Sequence, residues 1–249
     1  MKRTILMAQG YEKVRRMVEQ IVDTFDQGGE MVHEGRNTIK RFKTTAGDWN
    51  VKRYHKPIFL NRIVYSFFRK PKGLRAFTYP VPVISAGFET PRPVAYIEER
   101  QNGLIGYSYF ISEQCNYGRR MYEFGDSSVA DNKEIFEAFA RYTASLHEAG
   151  IYHRDYSPGN ILFDCVDGQW HFSIVDINRM EFGEVSVKKG CENFARLWAQ
   201  PETFRFWARI YAEARKANPD ECEKWVMDAR NKFWKKRVKH FDLPYKLNF

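Results

Sequence analysis

The apolar positions Tyr11, Val14, Val18, Ile21, Val22 and Phe25 recur at helical spacing and are followed by Gly28 and Gly29. This pattern predicts a helix over residues 10–26 with a glycine stop. From Met31 to Tyr54 the period shortens to two. Turns at Gly35-Arg36-Asn37 and Ala46-Gly47-Asp48 divide that stretch into three short strands, the last running from Trp49 to Tyr54. After Pro57 a basic, aromatic segment is expected to be partly helical and to be broken by Pro80 and Pro82. Residues 94–99 and 104–113 read as strands joined through Gln101-Asn102-Gly103. A clearer helix follows, with Asp131 and Glu134 as a capping box, Ile135, Phe139, Tyr142 and Leu146 on one face, and Gly150 at its end. Residues 161–165 and 170–175 form a predicted hairpin across Asp167-Gly168. From Cys191 onward the pattern is helical, interrupted at Pro201 and at Asn218-Pro219. Strands come first and helices later. The fold class is therefore α+β, with two lobes. Residues 1–114 make an N-terminal lobe of one helix and an antiparallel sheet, and residues 115–249 a mainly helical C-terminal lobe.

Composition narrows the class. A chain of 249 residues with 43% hydrophobic positions can build a large core and is neither disordered nor repetitive. Cys115, Cys165, Cys191 and Cys222 lie far apart, which argues against a structural zinc site and a disulfide scaffold, and for a reducing compartment. The apolar run at the start is too short for a signal-peptide core, and no uncharged run approaches the roughly 20 residues of a membrane span. A soluble, intracellular protein is expected.

The net charge of +9 is concentrated. Residues 52–75 hold eight Lys/Arg and no acid, and residues 230–246 hold seven Lys/Arg with only Asp242. With those two windows set aside, the remainder carries −5. Both windows interleave aromatics with cations: Phe59, Tyr65, Phe67 and Phe68 in the first, Phe233, Trp234 and Phe241 in the second. Two readings remain open, core aromatics beside solvated lysines or a surface that settles on anionic headgroups. No nucleic-acid module accompanies the charge, so nucleic acid is not expected as a partner.

The chemistry lies between the helix and the hairpin. His153-Arg154-Asp155 is followed five residues after the aspartate by Asn160, and Asp176 stands at the end of the second hairpin strand. This is H-R-D-x-x-x-x-N followed by strand, turn, strand and Asp, the arrangement used by protein-kinase-like phosphotransferases. Phosphoryl transfer needs a carboxylate to orient the attacking hydroxyl and take its proton. It also needs oxygen ligands that hold Mg²⁺ against the nucleotide phosphates. Asp155, Asn160 and Asp176 supply those groups. A cation on the phosphates is expected from the third strand, where Lys52 is the candidate, because alternation turns Arg53 to the other face. No G-x-G-x-x-G lid and no Walker A loop occur, so the turn at Gly35 to Asn37 is left to approach phosphate through its backbone N–H groups.

These stretches resemble the bacterial lipopolysaccharide core kinase family, the Kdo and heptose kinases of the protein-kinase-like superfamily. The resemblance runs through Gly35-Arg-Asn-Thr38, Asn50-Val-Lys-Arg-Tyr54, Thr90-Pro-Arg-Pro-Val-Ala95, His153 to Asn160, and Val175-Asp-Ile-Asn-Arg179, and covers about residues 31–200. It implies ATP-dependent phosphorylation of a sugar hydroxyl on the lipopolysaccharide inner core. The expected setting is peripheral, at the cytoplasmic face of the inner membrane, with a glycolipid substrate and an anionic membrane surface as partners. It implies Asp155 as catalytic base, Asn160 and Asp176 as Mg²⁺ ligands, and Lys52 as the ATP phosphate contact.

Two features depart from the wider superfamily. No acidic residue lies between Trp49 and Phe88, where a helix glutamate would hold the lysine, and the next acids are Glu89, Glu98 and Glu99. Position 157 is serine where many protein kinases carry lysine, and no Ala-Pro-Glu follows Asp176. Other readings share these residues: a protein or small-molecule kinase of the aminoglycoside or choline type, or a catalytically impaired scaffold at a membrane surface.

Overall fold

In the computed structural model, which describes residues 2–240 and 244–248, the chain forms two compact units. Phe241 of the second aromatic-basic window lies outside the described residues. The first unit comprises Met1–Ile84 and Thr90–Asn116, and the second Ser85–Glu89 and Tyr117–Phe249.

The first unit is a six-stranded antiparallel sheet in the order β1-β5-β6-β4-β3-β2. Its strands are β1 (Lys2–Met7), β2 (Glu30–His33), β3 (Asn37–Thr44), β4 (Gly47–Tyr54), β5 (Pro93–Gln101) and β6 (Leu104–Glu113). The sequence pattern did not reveal β1, because Lys2-Arg3-Thr4 hides its alternation; it pairs with β5 from Lys2–Arg100 to Met7–Ala95. On one face lies helix α1 (Arg15–Asp23), preceded by a 3-10 turn (Glu12–Val14). Val18, Ile21, Val22 and Phe25 bury there against Trp49, Val51, Ile97 and Ile111, as the helical spacing required. Lys40, on β3, is also buried on that face. Its ammonium donates to the carbonyls of Phe25 (2.7 Å), Asp26 (3.1 Å) and Gly28 (3.0 Å), satisfying the end of the helical segment that lacks internal donors.

The opposite face carries Lys52 and Tyr54 of β4, Phe110 and Ser108 of β6, and Tyr96 and Glu98 of β5, aligned by the register Lys52–Phe110–Tyr96 and Tyr54–Ser108–Glu98. Helix α2 (Phe59–Ile63), a π turn (Val64–Phe68), α3 (Lys72–Thr78) and α4 (Pro80–Ser85) follow β4. Gly73 sets the approach of α3: a Cβ there would stand 2.7 Å from the Tyr96 ring and 3.3 Å from the Ser108 hydroxyl. Helix α3 ends at Thr78, just before Pro80, so the expected break is there, but Pro80 and Pro82 also start a new helix. They occupy the first turn of α4, where a helix needs no N–H donor.

The second unit holds α5 (Val129–Glu148), α6 (Val187–Asn193), α7 (Pro201–Ala214) and α8 (Pro219–Arg237). Phe136 and Phe139 of α5 meet Trp207 of α7 edge to face, with ring centroids 5.5 and 5.4 Å apart. Ser128, not Asp131, caps α5; its hydroxyl accepts from the Asp131 N–H at 3.2 Å. Pro201 and Pro219 open α7 and α8, and Asn218 caps the latter. Strands β7 (Arg119–Arg120), β9 (Ile161–Val166) and β10 (Gln169–Ile174) form a sheet in the order β10-β9-β7, and β8 (Ile151–His153) pairs with β11 (Met180–Phe182). Residues 85–89 join this unit through the Glu89 carbonyl, which accepts from the Ile174 N–H at 3.0 Å.

Lys40→Met is expected to leave three carbonyls without their charged donor and cost about 3 kcal/mol, while Lys43→Met, at an exposed position of the same strand, stays near neutral. Urea unfolding of the two variants checks this.

Candidate active site

The loop after β8 is held from both sides by one histidine. His153 is wholly buried, its Nδ1 accepts the Asp155 N–H at 3.1 Å, and its Nε2–H donates to the Val175 carbonyl at 3.0 Å. One neutral imidazole thereby fastens the residue expected to act as base to the strand end that precedes Asp176. Burial lowers its pKa, against the hydrogen bond to Val175 and the pull of Asp176 and Asp155.

Asn160 closes the same loop. Its side-chain N–H donates to the Asp155 carbonyl at 2.9 Å, and its own carbonyl accepts from the Val175 N–H at 2.9 Å. With the amide nitrogen so committed, Oδ1 is the atom of this side chain that can serve a cation. Asp176 sits at φ +55°, ψ +41°, the left-handed region that few residues other than glycine, asparagine and aspartate adopt. Asn178 donates to its Oδ1 at 2.5 Å.

Behind the loop a buried chain of donors runs in one direction. Arg215 donates to the Tyr211 hydroxyl (2.7 Å), Tyr211 to His147 Nδ1 (3.0 Å), His147 Nε2–H to Asn193 Oδ1 (3.1 Å), and Asn193 to the His153 carbonyl (3.0 Å). Gly190 makes room for it, since a Cβ there would stand 1.9 Å from the Tyr211 hydroxyl. Burial pushes the His147 imidazole down to about 4, opposed by its bond to Asn193.

Sequence reasoning missed Arg196. Its Nη1 donates to Asp155 Oδ1 at 2.5 Å, and its guanidinium lies 5.5 Å from the centre of the Phe233 ring. No local motif signals it, because it lies forty-one residues beyond its partner. Nor did spacing reveal His147 and Asn193. Asn178, in contrast, lies within the Asp-Ile-Asn-Arg stretch that carried the resemblance.

The other expected residues belong to the first unit. Lys52 extends toward the ring of Tyr54, 5.5 Å from its centroid, while Arg53 on the opposite face pairs with Asp26 at 2.7 Å, as strand alternation required. Asn37 opposes Tyr54 in the register and, with Arg36, His55, Lys56 and Lys72, lines a cavity of about 310 Å³. Gly35 makes the adjoining bend without a positive φ. Helix α3 carries no acid; on the Lys52 face Asp48 of β4 is paired with Arg41, and Glu98 of β5 is held by the Tyr96 hydroxyl and by Arg100 at 2.5 Å each.

Among the described residues no three His, Cys, Asp or Glu side chains gather as a metal cluster. The donor set of Asn160 and Asp176 is one amide oxygen and one carboxylate. That suits Mg²⁺, which keeps most of its shell for water and phosphate.

Two solved structures share this architecture. WaaP in complex with acyl carrier protein aligns over 96% of this chain and all of its own, with a TM-score of 0.62 at 15% identity. The microcompartment-associated aminopropanol kinase aligns over 92% of this chain and 90% of its own, with a TM-score of 0.54 at 11% identity. The fold is thus kinase-like. At the level of sequence, residues 24–213 match the lipopolysaccharide kinase (Kdo/WaaP) family, and the chain belongs to that family. It is also similar to the 3-deoxy-D-manno-octulosonic acid kinase of Vibrio parahaemolyticus serotype O3:K6, 24% identical over 125 residues. That match spans 49% of this chain and 50% of the relative.

A histidine held neutral by burial gives stability that is full above the unfolded value of about 6.5. Below it the unfolded chain takes up the proton first. Stability is therefore expected to fall as the pH drops from about 6.5 toward about 4, by about 1.4 kcal/mol per unit for His147, and His153 adds in the same direction. Urea unfolding at about pH 7.5 and about pH 5 reads the slope, which His147→Gln should flatten.

Proposed function

We propose that this protein is an ATP-dependent phosphotransferase acting on a sugar hydroxyl, of Kdo or heptose, in the lipopolysaccharide inner core. The observation that carries the reading is the anchored loop: Asp155, Asn160 and the Val175–Asp176 strand end are tied together through His153 in a chain of the Kdo/WaaP family. A glycolipid acceptor places the work at the cytoplasmic face of the inner membrane, with the protein attached peripherally. Among the described residues no helix is long and apolar enough to cross a membrane.

The reaction breaks the bond between the γ-phosphorus and its bridging oxygen and forms one to the sugar oxygen. Asp155 takes the hydroxyl proton as that oxygen attacks. His153 fixes its backbone, and Arg196 orients one carboxylate oxygen, leaving the other to face the acceptor. Arg196 thus brings a cation beside the base, where the loop has serine at 157. Mg²⁺, when bound, supplies charge neutralisation on the phosphate oxygens; Asn160 and Asp176 are the residues that would hold it. Lys52 is assigned to the nucleotide phosphates, with Gly35 and Asn37 at the turn beside them.

Purified protein is to be incubated with labelled ATP and, in parallel, a Kdo–lipid A acceptor, a protein acceptor and an aminoglycoside. Label is expected on the glycolipid; label on protein or aminoglycoside alone refutes the proposal. Asp155→Asn is expected to lower kcat by about 10² to 10⁴ while nucleotide binding persists. Arg196→Ala should lower kcat by about tenfold or more with the KM for ATP little changed, and Arg196→Lys or added guanidinium should restore part of it. A purely structural role for Arg196 would show neither rescue.

A further inference from the structure

Helix α2 and the π turn after it have their polarity reversed. Arg62 and Ser66 are tied to the sheet: Arg62 Nε donates to the Ile105 carbonyl at 2.8 Å, the Ser66 hydroxyl accepts from the Ile105 N–H at 2.9 Å, and the Ser66 backbone carbonyl accepts from Arg100 at 3.4 Å. Arg62 and Ser66 are four residues apart, so this is one anchored stripe. Away from it stand Leu60, Val64, Phe67 and Phe68, all exposed, with Ile58 and Phe59 at the near end. Leu60 is 72% exposed, Phe67 66% and Phe68 82%, values at which a helix of a soluble core normally shows charge.

The cover this stripe fits is defined by what surrounds it. Exposed Lys56 lies before the stripe and exposed Arg69 and Lys70 after it, and no acidic residue occurs from Trp49 to Phe88. Asn61 of α2 and Tyr65 of the π turn line the cavity that also holds Arg36, Lys56 and Lys72. Apart from exposed Asn61, the outward-facing side chains are apolar, and the margins present cations. A bilayer containing anionic phospholipid offers the complement in the same order, acyl chains within and phosphates at the rim.

We infer that residues 58–70 are the membrane-docking element of this protein. Phe67 and Phe68 enter the acyl region, while Lys56, Arg69 and Lys70 rest on anionic headgroups. The inference adds the docking element to the function proposed above and rests on it only for the presence of a bilayer-held acceptor.

The test uses the full chain and vesicles of phosphatidylcholine, alone or mixed with phosphatidylglycerol. Flotation is expected with the anionic vesicles, weakening as salt rises, and Phe67→Asp/Phe68→Asp should reduce it by about tenfold or more. Brominated acyl chains should quench a Phe68→Trp variant more than the wild-type protein, which separates insertion from surface attraction. The double aspartate variant should still phosphorylate a deacylated, water-soluble core sugar while losing activity on vesicle-borne glycolipid. Equal flotation of wild type and double variant, equal flotation with neutral vesicles, or no added quenching overturns the inference. Retention of an acidic carrier protein by the wild type without vesicle binding overturns it in favour of a protein partner. Failure to phosphorylate either sugar acceptor sinks the kinase reading alone, because flotation is read without turnover.

Discussion

The candidate chemistry depends on an imidazole that must stay neutral. His153 can accept from the Asp155 N–H and donate to the Val175 carbonyl only as the Nε2–H tautomer. Protonation would turn the acceptor into a donor facing another donor. Full burial prevents this at ordinary pH, because the charged ring would have no water around it. The donor chain from Arg215 ends on the carbonyl of the same residue, so His153 is held through its backbone as well as its ring. The loop and the strand end thereby become one rigid part built from segments distant in sequence.

The legible part of this arrangement was the part local in sequence. Asp155 and Asn160 sit within one short loop, and the amide–carbonyl bond between them needs only their five-residue spacing. The hairpin was marked by Asp167-Gly168, whose φ values of +51° and +77° are those its turn demands. The residues that orient these groups could not be read in the same way. Arg196, Asn193 and His147 reach their partners across forty or more positions, and nothing in their own neighbourhoods distinguishes them from surface or core residues. Pro80 reads in the sequence as a stop alone, whereas it both follows the end of α3 and opens α4: proline ends a helix from within but begins one at no cost. The first strand was missed because lysine and arginine occupy it before any apolar alternation becomes visible.

The acid-free stretch from Trp49 to Phe88 has a structural counterpart. A helix does pack on the Lys52 face, through Gly73 of α3, but it brings Lys72 instead of a carboxylate. Negative charge on that face comes from within the sheet, at Asp48, paired with Arg41, and at Glu98, which is buried and fixed by Tyr96 and Arg100. A carboxylate on a strand moves only with the sheet, whereas one on a helix can swing as the helix shifts.

The chain crosses between its two units three times, because residues 85–89 leave the first, bond to β10, and return before β5 begins. A fragment cut out as residues 117–248 would lack the Glu89 carbonyl that receives the Ile174 N–H, and also the carboxylate that meets His171 at 2.8 Å and the Tyr117 hydroxyl at 2.6 Å. The second unit is thus not a single continuous stretch of polypeptide. Its five residues from earlier in the chain bond beside the strand that leads to Asp176, so dissection or permutation of this protein has to carry those five residues along.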